Sequence, residues 1–107
     1  MNHDTIRRSD KLEYIAAHYG IDKQLAKTQE ECAELIQAIS KFKLAETAQD
    51  HVSGMQKITE EMADVLIMLN QIQFLTNNGI GLQRMIGQKL DRQIKRIHDE
   101  MSGGTGE

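Results

Sequence analysis

The chain contains no proline and no tryptophan, and its 107 residues include one cysteine, Cys32. Proline is the residue that most strongly interrupts helices, so its absence leaves the whole chain free to be helical. A single cysteine excludes a disulfide within the chain and is typical of a reducing compartment, so we expect a cytoplasmic protein. With only 4% aromatic residues, the composition predicts an all-α protein.

Two further absences limit the partners of this protein. No apolar run approaches the roughly 20 residues that a membrane span needs, and the polar segment Met1–Asp10 lacks the apolar centre of a signal peptide. A dedicated nucleic-acid-binding protein usually has an excess of basic residues, whereas this chain has a net charge of −3. We therefore expect neither a membrane nor a nucleic acid as partner.

The spacing of apolar residues predicts four helices in a single domain covering residues 1–107. Helix one begins at Ser9 or Asp10 and ends near His18, and Asp22 caps helix two, which fades near Glu46. We expect a linker over residues 45–53, a structured range of about 9–101 and a flexible tail over 102–107. Helix three is predicted to begin at a capping box, Ser53-Gly54-Met55-Gln56, and to end at Asn77-Asn78-Gly79. Helix four is predicted to run from about Leu82 to Met101.

The third predicted helix is apolar around most of its circumference, which is typical of a helix that is buried on several sides. A chain of 107 residues offers little surface to cover it, so a second copy is the expected cover. Short connections between helices favour bundle packing. We therefore expect a four-helix bundle-type domain that oligomerises through its helices, as a homodimer or homotetramer.

An acidic pattern occurs twice, as Glu30-Glu31-Cys32-Ala33-Glu34 and as Glu60-Glu61-Met62-Ala63-Asp64. At about 100° per residue, positions i and i+3 lie one turn apart on the same flank of a helix. If helices two and three pack side by side, four carboxylates converge: Glu31, Glu34, Glu61 and Asp64.

Two interpretations of this pattern are open. Like charges at helical spacing on an exposed face destabilise the helix by only about 0.2–0.5 kcal/mol per pair, so one interpretation is a solvated face. Carboxylates about 4 Å apart across a partly buried seam repel by several kcal/mol at an effective dielectric near 20. Protonation or a cation would have to relieve that repulsion, and ligands that are all oxygen favour Mg²⁺, Mn²⁺ or Ca²⁺.

Over residues from about 20 to 97, the chain resembles the MazG-type, all-α nucleoside-triphosphate pyrophosphohydrolases. The family signature is Glu-x-x-Glu on one helix and Glu-x-x-Asp on the next, and the surrounding EECAELIQAI, EEMADVLIMLNQI and KLDRQIKRI are also similar to the family. The resemblance implies a Mg²⁺-dependent enzyme, with Mn²⁺ as the other candidate ion, that cleaves a (deoxy)nucleoside triphosphate to the monophosphate and pyrophosphate. By the same resemblance, Glu31, Glu34, Glu61 and Asp64 are the metal ligands. The outer acids Glu30 and Glu60 are the expected catalytic groups, which orient ligands or accept a proton from the attacking water.

Phosphate groups also need cations, and four basic residues are candidates: Lys27, Lys89, Arg92 and Arg96. Each has another interpretation, because Lys27 can form an i,i+4 salt bridge to Glu31 and the other three can form a solvated stripe. Gln71 lies on the same stripe as Asp64 and could reach a ligand, although a polar surface position is the favoured interpretation. The four aromatic residues are expected in the core or in an interface: Tyr14, Tyr19, Phe42 and Phe74.

Two other functions agree with the same residues. One is a phosphoribosyl-ATP pyrophosphohydrolase-like activity, which differs in substrate and shares the chemistry. The other is a non-catalytic helical bundle that binds a cation or a protein partner.

Overall fold

The computed structural model describes residues 7–105, and this part of the chain is all-α. The predicted fold class is therefore confirmed, with four helices and no strand among these residues. The helices are α1 (Arg8–Tyr19), α2 (Ile21–Lys43), α3 (Ala48–Thr76) and α4 (Gly79–Thr105). None of them is both long enough and apolar enough to cross a lipid bilayer.

The first three helices form one compact unit, and α4 belongs to a second unit that begins at residue 78. Within the first unit α2 and α3 pack along their length, and α1 packs mainly on α3. A connection of four residues between two long helices requires them to run antiparallel. The buried apolar core comprises Ala16, Ala38, Val65 and Met68.

The connection between α2 and α3 is shorter than the sequence predicted. The expected linker over 45–53 is wrong from residue 48 onward, because α3 begins at Ala48. Thr47 caps this helix, since its hydroxyl accepts a hydrogen bond of 3.0 Å from the backbone N–H of Asp50. Ser53 therefore lies within α3 and does not cap it, and its hydroxyl donates to the carbonyl of Asp50 at 3.3 Å.

Packing explains why the polar first turns of α3 are helical. Gly54 lies so close to α2 that a Cβ atom built there would be 3.0 Å from Cδ1 of Phe42. The Phe42 ring also meets the edge of the His51 ring, with centroids 5.2 Å apart. These contacts extend α3 by two turns before its apolar stripe begins, which hydrophobic spacing alone does not reveal.

The junction of α1 and α2 is one residue, Gly20, whose φ of 84° favours glycine. Its N–H donates to the carbonyl of Ala16 at 2.8 Å and so closes α1. Because α2 starts at Ile21, the predicted cap Asp22 is wrong as a cap. It lies in the first turn, where its charge faces the positive end of the helix dipole.

The structure confirms that α3 ends at Asn77-Asn78-Gly79. Asn77, and not Gly79, adopts the left-handed conformation that closes the helix, with φ 51° and ψ 41°. Gly79 is instead the first residue of α4, and α4 continues to Thr105, four residues beyond its predicted end at Met101. The last two residues of the predicted tail, 106–107, lie outside the described residues.

Candidate metal centre

Four carboxylates meet where α2 and α3 face each other. Each side chain offers one oxygen, and these oxygens all lie within 4.8 Å of one another. Two come from each helix, since an i,i+3 spacing places both acids of a pair on one flank and antiparallel packing turns the two flanks together. The convergence expected from the sequence is therefore present in the structure for Glu31, Glu34, Glu61 and Asp64.

Two of these acids are buried despite their charge. Glu31 retains 7% of its exposure and Glu61 retains 4%, whereas Glu34 is half-buried and Asp64 is exposed. The Oε2 atoms of Glu31 and Glu61 are both inaccessible to solvent, and no group within residues 7–105 bonds to either of them. A buried acceptor without a partner costs about 1–3 kcal/mol, and more when it is charged. A cation at this seam would satisfy both atoms.

A lysine contacts the other oxygen of each buried glutamate. Lys27 Nζ lies 3.2 Å from Glu31 Oε1, and Lys57 Nζ lies 3.0 Å from Glu61 Oε1. These contacts are the main reason that the pKa of each lysine is raised above its usual value. The salt-bridge interpretation of Lys27 is thus confirmed, and its phosphate-binding role stays a prediction.

Lys57 was missed by the analysis of the sequence, although a signal for it was present. It stands four residues before Glu61, as Lys27 does before Glu31, so the doubled pattern extends from five residues to eight. An i,i+4 spacing brings a lysine beside the glutamate on the same flank of a helix.

The two more accessible acids hold their protons more strongly than usual. The pKa of Glu34 is raised, first by the negative charge of Glu31 and then by burial and by the charge of Glu61. The pKa of Asp64 is also raised, first by the partial loss of water around its carboxyl group and then by Glu31 and Glu61. The Glu34 shift thus reflects mainly the repulsion between carboxylates, whereas the Asp64 shift reflects mainly desolvation.

The predicted catalytic acids lie outside this cluster. The Glu30 and Glu60 side chains are 59% and 70% exposed. Each lies near the lysine one turn earlier, with Lys27 Nζ to Glu30 Oε2 at 3.5 Å and Lys57 Nζ to Glu60 Oε2 at 3.9 Å. Their place one residue before a buried glutamate agrees with an outer position, and their chemical role stays a prediction.

The other predicted phosphate ligands lie on α4. Lys89, Arg92 and Arg96 follow an i, i+3, i+7 spacing and so share one flank of that helix. They belong to the second compact unit, and their role also stays a prediction.

Two buried amides lie two helical turns beyond the cluster. Gln24 is seven residues before Glu31, and Gln71 is seven residues after Asp64. The Gln24 Nε2 donates to Gln71 Oε1 at 2.6 Å, and the two residues retain 5% and 2% of their exposure. The favoured surface interpretation of Gln71 is therefore wrong. The signal for this pair was its spacing, because Gln24 and Gln71 each lie seven residues from an acid of the cluster. The sequence analysis singled out Gln71 and missed Gln24.

A cavity of about 600 Å³ lies beside the two amides and is also lined by Tyr19, Lys27 and Glu30. Tyr19, expected in the core or an interface, is half exposed at this cavity. A second cavity of about 340 Å³ lies at the other end of the α2–α3 seam, where Lys41, Asp50 and Lys57 line it.

Comparison with known protein families identifies the family of this chain. The sequence profile of the MazG nucleotide pyrophosphohydrolase domain matches residues 20–100, which include α2, α3 and most of α4. Searches of curated proteins and of solved structures gave no significant match. On the extent of the profile match, the chain belongs to the MazG nucleotide pyrophosphohydrolase family.

Proposed function

We propose that this protein is a Mg²⁺-dependent hydrolase that cleaves a nucleoside or deoxynucleoside triphosphate to the monophosphate and pyrophosphate. The observation that carries the proposal is the pair of unpartnered, buried oxygens, Glu31 Oε2 and Glu61 Oε2, within a cluster of four carboxylates. Oxygen-only ligands favour Mg²⁺, with Mn²⁺ as the other candidate. Membership of the MazG family supports the reaction class.

The proposed roles follow from position in the seam. Glu31, Glu34, Glu61 and Asp64 would hold the ion, which when bound would neutralise phosphate charge and lower the pKa of a water molecule. Glu30 and Glu60 lie at the rim of the cluster, where an exposed carboxylate can orient or deprotonate water.

Four basic residues are proposed to bind the phosphates. Lys27 lies beside the cluster, and Lys89, Arg92 and Arg96 would join it if α4 faces the seam in the active assembly. The structure adds Lys57 as a fifth candidate, because its ammonium group stands at Glu61 as that of Lys27 stands at Glu31.

We further propose that the chain acts as a single domain in a homodimer or homotetramer in the cytoplasm. Support for the oligomer comes from α3, where Met62, Leu66 and Leu69 are each about half exposed along a helix that also forms the core. Apolar exposure of this extent is typical of surfaces that bind another chain. Size-exclusion chromatography with light scattering tests the assembly, and a monomer at micromolar concentration would contradict it.

The catalytic proposal is tested by incubating the protein with a panel of nucleoside triphosphates and Mg²⁺, and measuring pyrophosphate release. We expect turnover of at least one triphosphate, and none with Glu34→Ala. Glu46→Ala is the matched control, because Glu46 is an exposed acid in the connection between α2 and α3. Phosphoribosyl-ATP is included in the panel to separate that substrate from simple triphosphates. If the protein binds Mg²⁺ by calorimetry and turns over no substrate, the non-catalytic alternative is correct.

A further inference from the structure

The buried amide pair of Gln24 and Gln71 is an unusual way to join two helices. A buried hydrogen bond adds little net stability, and two apolar side chains of similar shape would serve the core equally well. The two amides also do not use all of their hydrogen-bonding capacity. Each amide has two N–H donors and an oxygen with two lone pairs. Within residues 7–105, the one acceptor that Gln71 Nε2 contacts is the weak acceptor Sδ of Met68, at 3.9 Å. The polar atoms therefore have capacity for a ligand.

The cavity beside this pair has the character of a small-molecule site. Its volume of about 600 Å³ falls within the range of about 300–1,000 Å³ that is typical of ligand pockets. Apolar walls from Ile15, Ile67 and Met68 surround the two amides, and Tyr19 adds an aromatic ring. Mostly apolar walls with a few fixed polar groups suit a flat heteroaromatic ring better than a phosphate.

The cavity also lies next to the acidic cluster. Lys27 and Glu30 line it, and the ammonium group of Lys27 contacts Glu31 of the cluster at 3.2 Å. A ligand whose phosphates lie at the four carboxylates can therefore extend its other end toward Gln24 and Gln71. The cavity at the opposite end of the seam has no amide in its lining, so only the end at Lys27 offers fixed amide groups to a base.

We propose that Gln24 and Gln71 are specificity-determining residues of this site, which hydrogen-bond the nucleobase of the bound nucleotide. An amide places a donor beside an acceptor, which matches the edge of a nucleobase in two hydrogen bonds. The hydrogen bond from Gln24 Nε2 to Gln71 Oε1 fixes the orientation of the two amide groups. Tyr19 offers the face on which a base can stack. The proposal rests on the proposed function, because it takes the cluster as the phosphate end.

The test is calorimetric binding of two ligands in the presence of Mg²⁺: an α,β-methylene nucleoside triphosphate and inorganic tripolyphosphate. In Gln24→Leu and Gln71→Leu we expect nucleotide affinity to fall about 10- to 100-fold, the range for loss of a bidentate base contact. Tripolyphosphate affinity should stay within about twofold, because the carboxylates and lysines are unchanged. Gln37→Leu is the matched control, since Gln37 is an exposed glutamine of the same helix.

Equal losses for both ligands would overturn the proposal, because the amides would then support the fold and not the base. No loss for either ligand would overturn it as well. Gln71→Met keeps the side-chain length and is the second variant if Gln71→Leu does not fold; the same selective loss is expected. Absence of turnover in the wild type would count against the proposed function, whereas a lack of nucleotide selectivity in the variants counts against this inference alone.

Discussion

The α2 segment 27–34 and the α3 segment 57–64 follow the same pattern: a lysine, two residues, two glutamates, an apolar residue, an alanine and an acid. Their local contacts are nearly identical as well. In both, the first glutamate is exposed, the second is buried with one unpartnered oxygen, and the lysine bonds the other oxygen. The antiparallel packing of α2 and α3 relates the two segments by an approximate twofold rotation.

The surroundings of the two segments differ. The Lys27 end opens on a cavity of about 600 Å³ that is lined by Tyr19 and the two buried amides, whereas the Lys57 end opens on a cavity of about 340 Å³ whose lining contains neither a tyrosine nor an amide. The charges of the seam are thus nearly symmetric while its ends are not. A symmetric centre can hold an ion, and unlike ends can give a bound nucleotide one direction.

The largest expected effect comes from removing either buried charge. Glu31→Gln and Glu61→Gln should each lower turnover by more than about 100-fold, because loss of a ligand exceeds the 10- to 100-fold typical of its supporting partners. Steady-state pyrophosphate release measures this, with Glu46→Gln as control. If one variant keeps near wild-type activity, the two halves of the seam are not equivalent and the ion lies on one helix.

A smaller effect is expected from the lysines, and it should distinguish the two ends. Lys27→Met and Lys57→Met should each lower kcat/KM by about 10- to 100-fold, since a positive group is lost next to developing phosphate charge. Lys43→Met, at the end of α2, is the control. The KM for nucleotide should rise more with Lys27→Met, whose side chain lines the amide cavity, and identical effects on KM would remove that distinction.

Mg²⁺ should stabilise the folded protein, because an ion that binds only the native state adds about 2.7 kcal/mol when its concentration is 100 times the dissociation constant. For a chain of this size such a gain raises the melting temperature by roughly 10 °C. Differential scanning calorimetry of chelator-treated protein measures the rise, and Glu31→Gln and Glu61→Gln should both abolish it. An unchanged melting temperature in millimolar Mg²⁺ would show that the seam does not bind the ion.

The sequence was sufficient to predict the helical fold class and the meeting of four acids, because both depend on a local period. Glu31 and Glu34 must share a flank in any α-helix, and the apolar stripes dictate which flanks face each other. The buried amides could not be found in this way. A glutamine is polar, so hydrophobic spacing places Gln71 outside the core, and only the pairing of α2 with α3 supplies the partner that makes its burial possible.

The ends of helices were predicted less well, for a related physical reason. Thr47 and Ser53 are equally good capping residues by type, and the choice between them depends on whether the intervening turns can pack. The contact of Gly54 with Phe42 makes that packing possible. It joins residues twelve positions apart across a turn, which no local pattern reports.

The smallest expected effect is a pH dependence of stability that comes from Glu34 and Asp64, the more accessible acids of the cluster. The two segments differ here, because the pKa of each acid is raised by a different main cause. Both have a raised pKa in the folded protein, so the native state binds these protons more tightly than the unfolded chain does. The free energy of unfolding of the metal-free protein should therefore fall as pH rises from the ordinary values of 4.5 for Glu34 and 3.8 for Asp64 through the raised values. Urea titrations across pH 4–7 measure this slope, roughly the range in which carboxyl groups with raised pKa values titrate.

Salt distinguishes the contributions of the two acids to this slope. The Glu34 shift comes first from the charge of Glu31, which added salt screens, whereas the Asp64 shift comes first from loss of water, which salt does not restore. In Asp64→Asn, where Glu34 remains, the slope should flatten at high salt; in Glu34→Gln, where Asp64 remains, it should change less. Saturating Mg²⁺ should reverse the sign in the wild type, because the ion binds the deprotonated carboxylates and so gains affinity as pH rises. Equal salt sensitivity in the two variants would show that charge repulsion dominates at both helices.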